Sequence, residues 1–251
     1  MPYDELTHEQ RDRAEVFGSV AEDYDRYRPT YPDRLVDDLL ARGPRAVLDV
    51  GCGTGKAARL FAARGVPVLG VEIDPQMAAV ARRHGIEVEV SGFEAWDDRG
   101  RRFDLITCGQ AWHWVDPDVG APKAAGLLND GGTLALFWNF AEPAAEDKRL
   151  IDAVYQRLAP ELVRLANAGD DEAHLRALQA TGAFSSVDAT TYPAERTWPV
   201  DEWLGNLSTQ SNHVLLGARL PALLAGLRAA LAGRGGDVHT SGGTYLLQAR
   251  V

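Results

Sequence analysis

Cysteine and lysine are both scarce in this chain of 251 residues: the cysteines are Cys52 and Cys108, and the lysines are Lys56, Lys123 and Lys148. Two cysteines with no metal-ligand spacing around them exclude a disulfide scaffold and give no reason to expect a metal. The lysine-poor, arginine-rich composition reads as coding bias. No apolar run approaches the roughly 20 residues needed to cross a bilayer, so no membrane role is expected. Positive charge is also in deficit: 26 Lys and Arg against 36 Asp and Glu give a net charge of −10. Such a surface repels phosphate backbones and argues against a nucleic-acid partner unless a local basic patch overrides the total. The opening Met1 to Gln10 has neither the basic start nor the apolar stretch of a signal peptide, which makes the cytoplasm the expected compartment.

What is present is an ordinary globular composition, 45% hydrophobic and 25% charged, with length enough for one large α/β unit. Between Ala46 and Trp138, apolar runs alternate with helical patterns. Ala46 to Val50 and Val66 to Val71 are continuous, largely β-branched runs, as buried parallel strands are. Ile86 to Val90, Phe103 to Thr107 and Thr133 to Trp138 continue the series, with helices expected over Lys56 to Arg64 and Pro75 to His84. For the second of these helices, Asp74 suits a cap, Pro75 a first turn and Gly85 an end. Strand and helix in alternation imply a parallel sheet with right-handed crossovers. Outside this core, helices are expected over Phe17 to Arg28, Asp33 to Ala41, Ala145 to Ala166 and Val214 to Ala232. Val187 to Tyr192 and Thr244 to Val251 read as strands, the last either parallel or antiparallel.

The informative string is Leu48-Asp-Val-Gly-Cys-Gly-Thr-Gly-Lys56. A strand ends in Gly51, Gly53 and Gly55, and a helix follows. Glycine lets the backbone turn sharply and approach a ligand with no Cβ in the way. A dinucleotide fingerprint needs a glycine at the position of Lys56, which weighs against an NAD-dependent oxidoreductase. Asp49 precedes the first glycine by two residues and suits the cationic amino end of S-adenosylmethionine (SAM), which has no phosphate to bind. Glu72 ends the second strand about 20 residues further on, where a carboxylate can accept both ribose hydroxyls. Ile73 follows it. Met77 lies against an adenine or else belongs to the core.

These residues resemble motif I of the class I SAM-dependent methyltransferases. Gly92-Phe-Glu94, Phe103 to Trp114 and Leu128 to Leu134 are similar to later motifs of that family, and Phe17 to Pro32 resembles its small-molecule, trans-aconitate-type branch. The resemblance implies a Rossmann-like α/β fold: seven strands, mostly parallel, ordered 3-2-1-4-5-7-6, with a helical N-terminal lid and helical cap insertions. Residues 1–251 would form one domain, with 1–42 the lid, 46–139 the SAM-binding core and 140–251 the cap and terminal strands. By position, Asp49 and Gly51 would meet the methionine part of SAM, Glu72 the ribose, and Phe93 and Glu94 the adenine region. The family often has an acid before the phenylalanine for the adenine amine, and this chain has Gly92.

The implied reaction moves the methyl group of SAM to a small-molecule acceptor, at a carboxylate or hydroxyl oxygen, leaving S-adenosylhomocysteine. A carboxylate needs no base, whereas other acceptors can require one. His113 is the base candidate, but Trp112-His-Trp114 also reads as an aromatic plug with a hydrogen-bonded histidine, and the plug is the favoured reading. Gln110 sits closer to the strand end and suits the methionine part. Tyr24, Tyr27 and Arg28 share a helical patch, read either as a lid over the cofactor, with Arg28 or a tyrosine on its carboxylate, or as plain packing. Ser208 to His213 and Trp138-Asn139 are candidate pocket lining. A protein that binds SAM without methyl transfer is the remaining alternative.

Overall fold

A computed structural model describes residues 15–165 and 171–251. The opening decapeptide considered above lies outside them. Seven strands form one sheet in the order β3-β2-β1-β4-β5-β7-β6. They are β1 (Val47–Val50), β2 (Val68–Glu72), β3 (Glu87–Val90), β4 (Phe103–Gly109), β5 (Leu128–Pro143), β6 (Ser186–Pro199) and β7 (Asp237–Arg250). The first five are parallel, and β7 lies antiparallel between β5 and β6. Order and direction are those the resemblance implied, with the last strand settled as antiparallel.

The sheet is covered on both faces, which is why its strands read as unbroken apolar runs. Leu134, Leu136 and Trp138 of β5 join one layer with Leu48 and Val50 of β1. Ala135 and Phe137 join the opposite layer with Val47, Leu35 and Phe61. The second layer is supplied by α2 (Asp33–Leu40) and α3 (Ala58–Ala62), while α4 (Pro75–Arg83) packs in smaller clusters beside β3 and, through Met77 and Val80, against Ala21 of α1 (Ala21–Tyr27). In α4, the Asp74 side chain caps the amides of Gln76 and Met77, Pro75 occupies the first turn, and Gly85 follows at φ +82°.

Several flanking elements differ from expectation for local reasons. A helix α5 (Pro117–Leu127), capped by Asp116, fills the β4–β5 crossover; its alanines and glycines carry little helical periodicity. The helix expected over Ala145 to Ala166 breaks into α6 (Ala145–Leu158) and α7 (Pro160–Leu165), because Pro160 cannot continue a helical hydrogen-bond ladder. A helix α8 (Asp171–Ala180) follows. The polar run from Ser208 straddles the end of α9 (Val200–Ser208) and α10 (Ser211–Val214). The last helix, α11 (Leu220–Leu231), starts late: Gly217 adopts φ +53° and Pro221 sets the first turn. Ahead of α1, Glu15–Val20 is a 3-10 turn. Helices α6, α9 and α11 close a second core on the far end of β6 and β7, around Trp198, Trp203, Leu227 and Val238.

Candidate functional site

The carboxyl ends of β1, β2, β4 and β5 open into a cavity of about 1080 Å³, roofed by α1, α6, α9 and α10 and walled by the β6–β7 ribbon. This is where open α/β sheets bind ligands. The turn after β1 forms its floor. Gly51, Gly53 and Gly55 all take left-handed φ, at +61°, +55° and +81°. They serve different ends. A Cβ on Gly51 would sit 2.6 Å from the Ala111 Cβ, so this glycine lets two loops touch. Gly53 lines the cavity beside Met77. Gly55 is not among the lining residues; a Cβ there would come within 3.3 Å of Ala81 and Ile86, so it also lets the turn pack closely on the α4 region.

Glu72 is buried at the end of β2 yet lines the cavity. Its Oε2 accepts from the Gly53 amide at 2.8 Å and its Oε1 from the Asp74 amide at 2.9 Å. Burial raises its pKa, against the pull of these two amides. Each oxygen retains a further lone pair for a ligand hydroxyl.

Asp49 lies deeper, 1% exposed and outside the cavity lining. Its Oδ1 accepts from the Thr107 hydroxyl at 2.7 Å, while its Oδ2 is buried with no hydrogen-bond partner. Burial raises its pKa to about 7. A buried carboxylate oxygen without a partner is costly unless a cation or donor reaches it. The residues present therefore fit a cofactor with an ammonium group near Gly51 and vicinal hydroxyls near Glu72.

Phe93 and Glu94 form a 3-10 turn after β3. Phe93 lies against Trp112, and Lys123 Nζ sits 5.4 Å from its ring centre. Glu94 Oε1 accepts from the Asp116 amide at 2.8 Å, tying the turn to the start of α5. Ile73, Met77, Phe93 and Glu94 all line the cavity. A Cβ on Gly92 would meet nothing closer than Ile73 Cδ1 at 3.7 Å, so this edge has room for a side chain.

Gln110 follows β4 at φ +63°, a left-handed conformation that costs a non-glycine residue on the order of 1 kcal/mol or more. Its amide donates to Phe137 O at 2.9 Å and its Nε2 to Asn139 O at 3.1 Å, which hold it at the cavity edge. His113 also lines the cavity, its ring 4.7 Å from that of Trp114. Desolvation, then the nearby His174, lowers its pKa to about 3. A general base works best with a pKa near the operating pH. His113 is thus neutral and weakly basic, which favours the plug over the base.

Helix α1 joins the sheet core to the cap helices. Asp25 of α1 pairs with Arg59 at 2.7 Å and with His84 at 2.9 Å, and Lys56 Nζ donates to its backbone oxygen. Arg28 donates through Nε and Nη2 to the Thr209 hydroxyl and carbonyl, both at 3.0 Å, and lies over the Tyr24 ring. Tyr27 packs against Gly205, where a Cβ would come within 2.6 Å of its ring. Tyr24 and Arg28 line the cavity and Tyr27 does not.

Of the candidate lining outside the motifs, Asn139 and the stretch from Gln210 to His213 reach the cavity. Trp138 does not: it is buried and stacked on His174. Tyr155, Asp152 and Trp203 line the cavity without any warning in the sequence: the first two sit in a helix that reads as merely amphipathic, and Trp203 in α9, outside the helices expected from the sequence. Among the described residues, no His, Cys, Asp and Glu cluster could hold a metal ion, and no helix is long and apolar enough to cross a membrane.

The methyltransferase domain family model matches residues 24–178. The chain therefore belongs to that family and carries the class I SAM-dependent methyltransferase fold. It is 38% identical over 142 residues to an uncharacterized methyltransferase of Mycobacterium tuberculosis, covering 53% of this chain and 56% of that protein. It is 34% identical over 124 residues to a ubiquinone biosynthesis O-methyltransferase of Xanthomonas campestris, covering 46% of this chain and 52% of that one. The chain spans about half the length of the curated relatives it matches. A solved structure of a type II methyltransferase candidate from Anaeromyxobacter dehalogenans superposes with a TM-score of 0.63 at 26% identity, covering 89% of this chain and 98% of that one.

Proposed function

We propose that this protein transfers the methyl group of SAM to an oxygen of a small-molecule acceptor. The observation that carries the reading is one cavity lined by two unlike sets of residues, one from the sheet's carboxyl edge and one from the cap helices. The first includes Gly51, Gly53 and Glu72, with the partnerless Asp49 oxygen behind them. The second consists of aromatic and aliphatic side chains, including Ile151, Leu162 and Trp203. Bound SAM supplies an electrophilic methyl carbon. The protein's part is to fix its ends, hold the acceptor in line and exclude water, and such positioning supplies a large share of rate enhancement. Asp49 and Gly51 serve the methionine part in this reading, Glu72 the ribose, and Ile73, Met77, Phe93 and Glu94 the adenine. Gln110, Tyr24 and Arg28 close over the cofactor. A roofed cavity and a net charge of −10 favour a small acceptor over a polyanion. The likeness to a relative named as an O-methyltransferase supports oxygen as the acceptor atom.

The test is calorimetry with S-adenosylhomocysteine, followed by mass spectrometry of an acceptor panel incubated with SAM. Gly53→Ala, which adds a Cβ to a left-handed residue on the cavity floor, should weaken cofactor binding at least about tenfold in a protein that stays folded by circular dichroism. Normal binding by that variant would reduce the glycines to a turn and overturn the cofactor assignment.

A further inference from the structure

The cap side of the cavity holds a hydrogen-bonded chain outside the motifs assigned to the cofactor. Tyr155 of α6 and His213 of α10 both line it, with the phenol oxygen 2.6 Å from His213 Nε2. His213 Nδ1 lies 2.8 Å from Asn212 Oδ1. An amide oxygen can only accept, so Nδ1 carries the ring proton and Nε2 the lone pair. His213 is 4% exposed, and burial, then the charge of Arg28, lowers its pKa to about 4, so the ring is neutral. Burial also pushes the Tyr155 phenol upward, with Asp152 adding to the effect, and the phenol keeps its proton. The Tyr155 hydroxyl therefore donates to Nε2. Its proton is committed to His213, and its oxygen offers lone pairs to the cavity.

We propose that Tyr155, held in this sense by His213 and Asn212, is a specificity-determining contact that selects a hydroxyl-bearing methyl acceptor over a carboxylate. The proposal rests on the reading that this side of the cavity takes the acceptor. A carboxylate carries only lone pairs, and against the Tyr155 oxygen it would set acceptor against acceptor. A hydroxyl donates to the phenol oxygen and satisfies both groups. His213 acts here as a positioning residue.

The experiment uses the full chain saturated with S-adenosylhomocysteine. Cofactor binding is measured first by calorimetry, so a failure of the cofactor reading is seen separately. Nitrogen-15 NMR of the His213 ring should show the neutral Nδ1–H tautomer from about pH 5 to pH 8. An Nε2–H tautomer or an imidazolium at pH 7 would overturn the proposal. The near-isosteric probes are 4-nitrobenzyl alcohol and 4-nitrobenzoate. The wild-type protein should bind the alcohol at least about tenfold more tightly, the scale of one well-made hydrogen bond. Tyr155→Phe should lose that preference. His213→Leu should reverse it, because the phenol proton becomes free to turn into the cavity, an outcome that lost packing would not produce. No preference in the wild type, or one unchanged in Tyr155→Phe, overturns the assignment.

Discussion

The amide of Gly53 and the carboxylate of Glu72 are joined at 2.8 Å, which ties the glycine turn after β1 to the end of β2. With the Asp74 amide on the other oxygen, the turn, the acid and the cap of α4 form one preassembled unit.

Glu72→Ala should accordingly weaken S-adenosylhomocysteine binding by about 1–3 kcal/mol, the cost of losing a charged hydrogen-bond partner. Titration calorimetry on the folded variant reads this directly. An unchanged affinity would take Glu72 out of the site.

Asp49 supplies a pH signature. Burial raises its pKa from the ordinary 3.8 to about 7, so the folded state holds this proton more tightly than the unfolded chain does. Its contribution is therefore most favourable below about pH 4 and declines as pH rises toward 7. An ammonium group beside Oδ2 would pull the pKa back down and expel the proton on binding. Near pH 6, S-adenosylhomocysteine binding should release up to about one proton, measured from calorimetric heats in buffers of different ionisation enthalpy. Asp49→Asn should abolish the release. Absence of release in the wild type would place the ammonium elsewhere.

The lid can be tested by hydrogen exchange. Helix α1 has only a narrow apolar stripe and is held in its C-terminal half by Asp25 and Arg28. Its amides should be poorly protected without ligand and clearly protected with S-adenosylhomocysteine, since Tyr24 and Arg28 line the cavity. Burial pushes the Asp25 carboxyl up, but His84, Thr54 and Arg59 outweigh it and leave the pKa lowered. This anchor is thus present above the ordinary carboxylate pKa and lost as pH falls through the lowered one. Asp25→Asn should reduce protection of the ligand-free lid at neutral pH. Equal protection with and without ligand would make α1 a fixed wall.

Gly92 offers a gain-of-function test. Its backbone, at φ −68° and ψ 139°, is ordinary for any residue, and the nearest obstacle to a Cβ is 3.7 Å away. Gly92→Asp restores the acid often found there in the family. It should tighten S-adenosylhomocysteine binding roughly three- to tenfold, the range of one added hydrogen bond. Weaker binding would mean that the adenine edge does not face residue 92.

The cofactor side was legible because its signals are local. Strand, turn and helix succeed one another within a few residues, so Gly51, Gly53 and Glu72 could be placed by spacing, and Asp74 as a cap by its neighbour Pro75. Local reading had limits even there. Gly55 follows the same pattern as the other two glycines, but only the packing of α4 shows that it faces Ala81 and Ile86. Whether His113 serves as a base or a plug could not be read from spacing, because a histidine's pKa is set by burial and neighbours, not by its own identity.

By itself, the sequence determined the order of the core strands and helices, the shape of the glycine turn and the carboxylates around it. Those depend on periodicity and backbone freedom over short stretches. Tertiary structure decided the cap side of the cavity. Tyr155 and His213 stand 58 positions apart, on helices with no motif, and they meet only because the cap core of α6, α9 and α11 packs over the β6–β7 ribbon. The packing sets the 2.6 Å contact between them, on which the proposed acceptor preference rests.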